Sequence, residues 1–166
     1  MISLEEQLVN QLIEKKWHIA CAESCTGGLI ASRIINVANA SRVLDVSFVT
    51  YANEAKINYL GVSPATILAH GVVSEAVVSE MAAGVAKEAG SEVGIAISGI
   101  AGPSGGTEKK PVGMVCFGFY INGQIITKTC QFGNPGRNEV RALSTEFAIK
   151  TALELISGNR NEISQL

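Results

Sequence analysis

Residues 19–31 read Ile19-Ala20-Cys21-Ala22-Glu23-Ser24-Cys25-Thr26-Gly27-Gly28-Leu29-Ile30-Ala31. A short apolar run to Ala22 is broken by a polar, glycine-bearing stretch, and a second apolar run continues toward Ile34 and Ile35. That order predicts a buried strand, a tight turn over 23–28 and a helix. Such a turn directs backbone N–H groups and the positive end of a helix dipole at whatever lies before it. Small residues there let a ligand come close to the backbone. Ser24 and Cys25 add a hydroxyl and a thiol at the same place. The same residues also fit a structural role alone, with Ser24 or Thr26 as the N-cap and the glycines relaxing the turn.

Working outward, the chain alternates strands and helices. Ser3 and Glu6 have the spacing of a capping box before a helix carrying Leu4, Leu8, Leu12 and Ile13 on one face. A first strand is predicted from His18 to Ala22 and a helix from Gly28 to about Val37. Asp45 to Tyr51 reads as a second strand and Asn53 to Leu60 as a short helix. Ser63-Pro64 opens another short helix, with proline at its first position, ending near Gly71. Ser74 caps a long helix to about Ala89. Glu92 to Ser98 is a continuous apolar strand of the kind found inside parallel sheets. Asn122-Gly123 joins Val112–Tyr120 to Gln124–Phe132 as a two-residue hairpin, a register that sets Ile121 opposite Gln124 and Val115 opposite Cys130. A last helix runs from about Glu139 to Ile156 and stops at Gly158; the polar tail from Asn159 to Leu166 is expected to fray. The pattern predicts one α/β domain over 1–166, a three-layer, mixed β-sheet covered by helices with a C-terminal antiparallel hairpin.

Composition narrows the function. The chain has 166 residues, 47% of them hydrophobic and 17% charged, which suits a single packed domain. A net charge of -2 without basic clusters argues against nucleic acid as a partner. No apolar run is long enough to cross a bilayer, and the acidic opening is unlike a signal peptide, so no membrane partner and a cytoplasmic address are expected. The four cysteines lack metal-site spacing, and the hairpin register turns Cys116 and Cys130 to opposite sides, so all four are expected as reduced thiols with no metal or other cofactor.

Ligands of open α/β sheets bind beyond the carboxyl ends of the strands. Three polar segments belong there: 23–28, 50–56 and the glycine-rich stretch 98–107. The third is too long for a plain connection and lacks the lysine of a phosphate-binding P-loop. The two histidines, His18 and His70, sit away from these segments, which leaves a Ser-His-Asp triad without its base. Tyr51 and Lys56 are then the candidate partners for Ser24, since a desolvated lysine loses its proton near neutral pH. The residues alone leave open a half-buried strand-end tyrosine and a solvated helix lysine.

The stretches AESCTGG at 22–28, FVTYANEAK at 48–56, GVVSE at 71–75 and SGIAGPSGGTEKKPVG at 98–113 resemble the CinA carboxy-terminal family, as does GRNEVR at 136–141 more weakly. The similarity runs from about Leu4 to Ile156. The family's characterised activity is nicotinamide mononucleotide amidohydrolase, so the resemblance implies a stand-alone amidohydrolase acting on a small-molecule pyridine nucleotide. It implies Ser24 as nucleophile, Tyr51 and Lys56 as its activating partners and Arg137 near the substrate. Thr26, Gly27 and Gly28, with Gly102, Gly105 and Gly106 of the glycine-rich loop, would shape the pocket, and a homo-oligomer is expected. Helix N-termini with Arg137 or Lys110 would hold the 5′-phosphate, and turn amides the oxyanion. Ala52 and the sequence Asn134-Pro135-Gly136 depart from the usual pattern. Two other readings stand beside this one: a non-catalytic nucleotide-binding regulatory domain, and a cysteine hydrolase built on Cys25.

Overall fold

The computed structural model describes residues 1–158. The expected tail from Asn159 lies outside the described residues. Five strands form one sheet in the order β2-β1-β3-β4-β5, comprising β1 (Ile19–Glu23), β2 (Phe48–Val49), β3 (Val93–Gly99), β4 (Met114–Ile121) and β5 (Gln124–Gln131). β1 pairs parallel with β2 and β3, and β3–β4 and β4–β5 are antiparallel. The hairpin has the expected register, with Ile121 opposite Gln124 and Val115 opposite Cys130, and all four cysteines are free.

Helices α1 (Leu4–Lys15), α2 (Leu29–Ile35), α3 (Asn53–Leu60), α4 (Pro64–His70), α5 (Glu75–Ala89) and α6 (Arg137–Ser157) form the outer layers. Alternation along the strands decides which helix goes where. Ile19, Cys21, Ile95, Ile97, Phe117 and Phe119 turn to one face and pack with α1, α2 and α6. Ala20, Ala22, Ala96 and Cys116 turn to the other and pack with α3, α4 and α5. The small residues let α5 lie close: a Cβ on Gly118 would sit 2.2 Å from the Val78 carbonyl oxygen. Arg33 ties the first layer together, donating to Glu5 at 2.6 Å and to Glu146 on α6.

β2 is much shorter than the strand predicted over Asp45–Tyr51. The Cys21 amide bonds the Ser47 hydroxyl at 3.1 Å instead of a backbone carbonyl, so the ladder breaks before Phe48. Ser74 caps α5 through the Val77 amide as expected, whereas Ser63 caps α4 without a side-chain bond; its own amide donates to Glu80.

Candidate active site

The ends of β1 and β3 and the start of α6 bring the predicted segments together. β1 carries Ser24 to its carboxyl end, and the chain turns through Gly27 and Gly28, at φ +58° and +101°, a region that glycine enters without strain. β2 delivers Thr50, and α3 follows at once, so Lys56 returns beneath the turn. Its Nζ donates to Ser24 Oγ at 3.1 Å and to the Thr50 carbonyl at 2.5 Å. Lys56 is 1% exposed and has no carboxylate partner among the described residues. Burial therefore pushes its pKa below the ordinary lysine value. Ser24 is half-buried.

Tyr51 is not on Ser24. It is 63% exposed, and its hydroxyl accepts from Arg137 Nη2 at 3.0 Å. Arg137 Nη1 donates to the Gly102 carbonyl at 2.8 Å, so one guanidinium at the first position of α6 links the Tyr51 segment to the glycine-rich loop. Gly102 is buried, while Gly105 and Gly106 lie on the exposed arm beyond it. Lys110 is already engaged elsewhere: its ammonium bonds the His70 and Val73 carbonyls at 2.5 and 2.7 Å.

Two residues that the sequence reading passed over complete the arrangement. Glu23 is 1% exposed, and its carboxylate accepts the Ile30 and Ala31 amides at 2.9 and 3.1 Å. The start of α2 is thereby capped by Glu23 rather than by Ser24 or Thr26, and those amides are not available to a ligand. Arg141 donates through Nε to the Cys25 carbonyl at 2.9 Å and through Nη2 to the Thr26 carbonyl at 3.3 Å. Its signal was present in GRNEVR, where Arg137 and Arg141 are four apart and share a helix face.

Two hydroxyls beside the Ser24–Lys56 pair, Thr26 Oγ1 and Thr50 Oγ1, are buried with no partner among the described residues. Burial pushes the Cys25 thiol up to about 11, with the nearby Arg141 and Lys56 opposing the shift. No group of three or more His, Cys, Asp or Glu side chains among the described residues has metal-binding geometry. No helix among them is long and apolar enough to cross a membrane.

The site therefore holds a hydroxyl touched by a buried lysine with no counter-ion among the described residues, at a strand-to-helix turn of a three-layer α/β domain. The chain belongs to the CinA C-terminal domain family, whose model matches residues 1–156. A CinA-like protein of Kosmotoga olearia is 49% identical over 147 residues, 89% of this chain. The chain spans 35% of that relative's length. A nicotinamide-nucleotide amidohydrolase PncC of Enterobacter agglomerans is 50% identical over 140 residues, covering 84% of this chain and 85% of that protein. Among solved structures, a CinA superfamily protein of Klebsiella pneumoniae superposes with a TM-score of 0.89 at 37% identity, covering 93% of this chain and 96% of that one.

Proposed function

We propose that this protein hydrolyses the carboxamide of nicotinamide mononucleotide, giving nicotinate mononucleotide and ammonia, with Ser24 as nucleophile and Lys56 as its base. The observation that carries this is the 3.1 Å contact between Ser24 Oγ and a buried Lys56 Nζ that has no anionic partner. An unpaired ammonium is costly to bury, so the neutral amine is favoured. A neutral Lys56 keeps one N–H on the Thr50 carbonyl and offers its lone pair to the Ser24 proton. The relative of matching length named as a nicotinamide-nucleotide amidohydrolase supports the choice of substrate.

The steps balance without a cofactor. Lys56 takes the Ser24 proton as Oγ bonds to the amide carbon, whose electrophilicity is raised by the pyridinium ring. The C–N bond then breaks, Lys56 returns the proton to the departing nitrogen, and ammonia leaves. Water attacks the resulting ester and gives its proton to Lys56, which passes it to Ser24 Oγ as the acyl–oxygen bond breaks, so both side chains are restored and the nicotinate product departs. Tyr51 and Arg137 stand on the exposed rim, hydrogen-bonded to each other, where they would meet the rest of the nucleotide. α6 begins there with Gly136, which offers no side-chain cap, so its first amides and the Arg137 guanidinium suit the 5′-phosphate. Thr26, Gly27, Gly28 and the loop glycines Gly102, Gly105 and Gly106 form the backbone around that path. The high pKa of Cys25 argues against a thiolate mechanism.

Incubation with nicotinamide mononucleotide tests the proposal. Release of equal amounts of ammonia and nicotinate mononucleotide is expected. Binding of the nucleotide without turnover would instead support the regulatory-domain reading.

A further inference from the structure

We propose that Arg141 is a positioning residue for amide cleavage: by holding the Cys25 carbonyl, it aims the Thr26 N–H at the carbonyl oxygen of the bound carboxamide. This rests on the amidase reading above and gives a role to a side chain which that reading leaves unused.

Several N–H groups of the turn and of the start of α2 are already committed. The Gly27 amide donates to the Ser24 carbonyl and the Leu29 amide to the Thr26 carbonyl, each at 3.1 Å. Those of Ile30 and Ala31 go to Glu23. The amides of Cys25, Thr26 and Gly28 bond no other described residue. One of these has its direction imposed from outside the turn. A peptide unit is planar and trans, so its C=O and N–H point opposite ways. The Cys25 carbonyl and the Thr26 N–H belong to one unit, and Arg141 Nε holds that carbonyl at 2.9 Å. Nη2 braces the next unit through the Thr26 carbonyl at 3.3 Å. Nη1 is itself held by Asn138 Oδ1 at 3.2 Å, which fixes the plane of the guanidinium.

The layers set the direction. Arg141 reaches the turn from α6, which packs on one face of the sheet, and Lys56 reaches it from α3, which packs on the other. An N–H turned away from Arg141 therefore faces the side from which Lys56 meets Ser24. As Ser24 adds to the carboxamide, the carbonyl oxygen gains charge, and a fixed N–H donor there stabilises the transition state more than the ground state. A lysine in place of Arg141 could hold one carbonyl but not both.

The test compares nicotinamide mononucleotide with its thiocarboxamide analogue, because sulfur accepts hydrogen bonds weakly. The full chain is assayed as wild type, Arg141→Ala, Arg141→Lys and Ser24→Ala, with circular dichroism as the check on folding. Arg141→Ala is expected to lower kcat for the oxygen substrate about tenfold to a hundredfold with KM little changed. The sulfur substrate should lose much less, so the oxygen-to-sulfur rate ratio shrinks. Arg141→Lys should shrink the ratio less, without restoring it. Equal losses on both substrates, or a rise in KM alone, would overturn the proposal. If Arg141→Ala does not fold, the ratio is read from Arg141→Lys and from Asn138→Ala, an exposed position; an unchanged ratio in both overturns it. A wild type inactive on both substrates, or a fully active Ser24→Ala, would instead overturn the amidase reading itself.

Discussion

The Ser24 edge of the sheet and the groove between β5 and α6 are built from opposite materials. The groove encloses about 510 Å³, with Cys130, Phe132, Leu143 and Phe147 among its lining and charged side chains such as Lys150 around them. It shares no residue with the Ser24–Lys56 pair. It is a place where an edge strand and a helix fall short of closing an apolar layer. At the Ser24 edge the polar groups are buried instead: Lys56 without an anion, and two threonine hydroxyls without partners among the described residues. Open volume costs a fold little when its walls face water, whereas an unpaired buried polar group costs free energy and calls for a reason. The contrast teaches why the chemistry is proposed at the Ser24 edge: polar burial there is unexplained by packing.

The sharpest way to break that contrast is at Lys56. Lys56→Met, which keeps the chain length and the burial, should lower kcat by at least about 10³-fold through loss of the base. Stability should be equal or higher at neutral pH, since an amine that is costly to bury has gone. The sign follows from the lowered pKa: the unfolded chain holds this proton more tightly than the folded one. Wild-type stability therefore rises with pH toward the ordinary lysine value of 10.5, and the gap to Lys56→Met narrows across that range. Denaturant midpoints at several pH values check this. A variant less stable than wild type at pH 7 would mean that Lys56 is structural. The kcat/KM of the wild type should likewise rise with pH and level off once Lys56 is neutral, below 10.5.

Arg137→Ala should have the next largest effect. A charge-assisted contact to phosphate contributes about 1.5–3 kcal/mol, roughly tenfold to a hundredfold in binding. The preference for nicotinamide mononucleotide over nicotinamide riboside should shrink by about that factor, read as kcat/KM for both. Equal losses on the two substrates would move the phosphate elsewhere. Smaller again is Cys25→Ser, which should leave kcat within a few-fold of wild type. Complete inactivation there would revive the thiol mechanism. At the groove, Lys150→Ala should change kcat/KM by no more than about twofold; a large loss would mean that volume, not polar burial, had marked the site.

Much of this was legible in the sequence because local signals agreed. Ser3 with Glu6, Asn122-Gly123 and Gly158 mark element ends, and the hairpin register follows from turn length alone. The strand-end segments carrying Ser24, Tyr51 and Lys56 were legible for the same reason. The depth of Lys56 was not, because α3 spaces its apolar residues no differently from a surface helix, and only its placement under the turn buries the amine. Glu23 and Arg141 were missed on similar grounds: each acts on backbone groups, and a backbone partner leaves no trace in side-chain spacing. The length of β2 was overread because Ser47 takes a ladder position that alternation assigned to backbone.

The claim that ties the site together is that Ser24 is the nucleophile for amide cleavage. Ammonia release from nicotinamide mononucleotide by wild type and by Ser24→Ala, at matched concentration and with folding verified, tests it most directly. The serine hydroxyl is bonded only to Lys56 among the described residues, so its loss should shift the melting temperature little while turnover falls to background. A folded Ser24→Ala protein that releases ammonia at a near-normal rate would contradict the assignment.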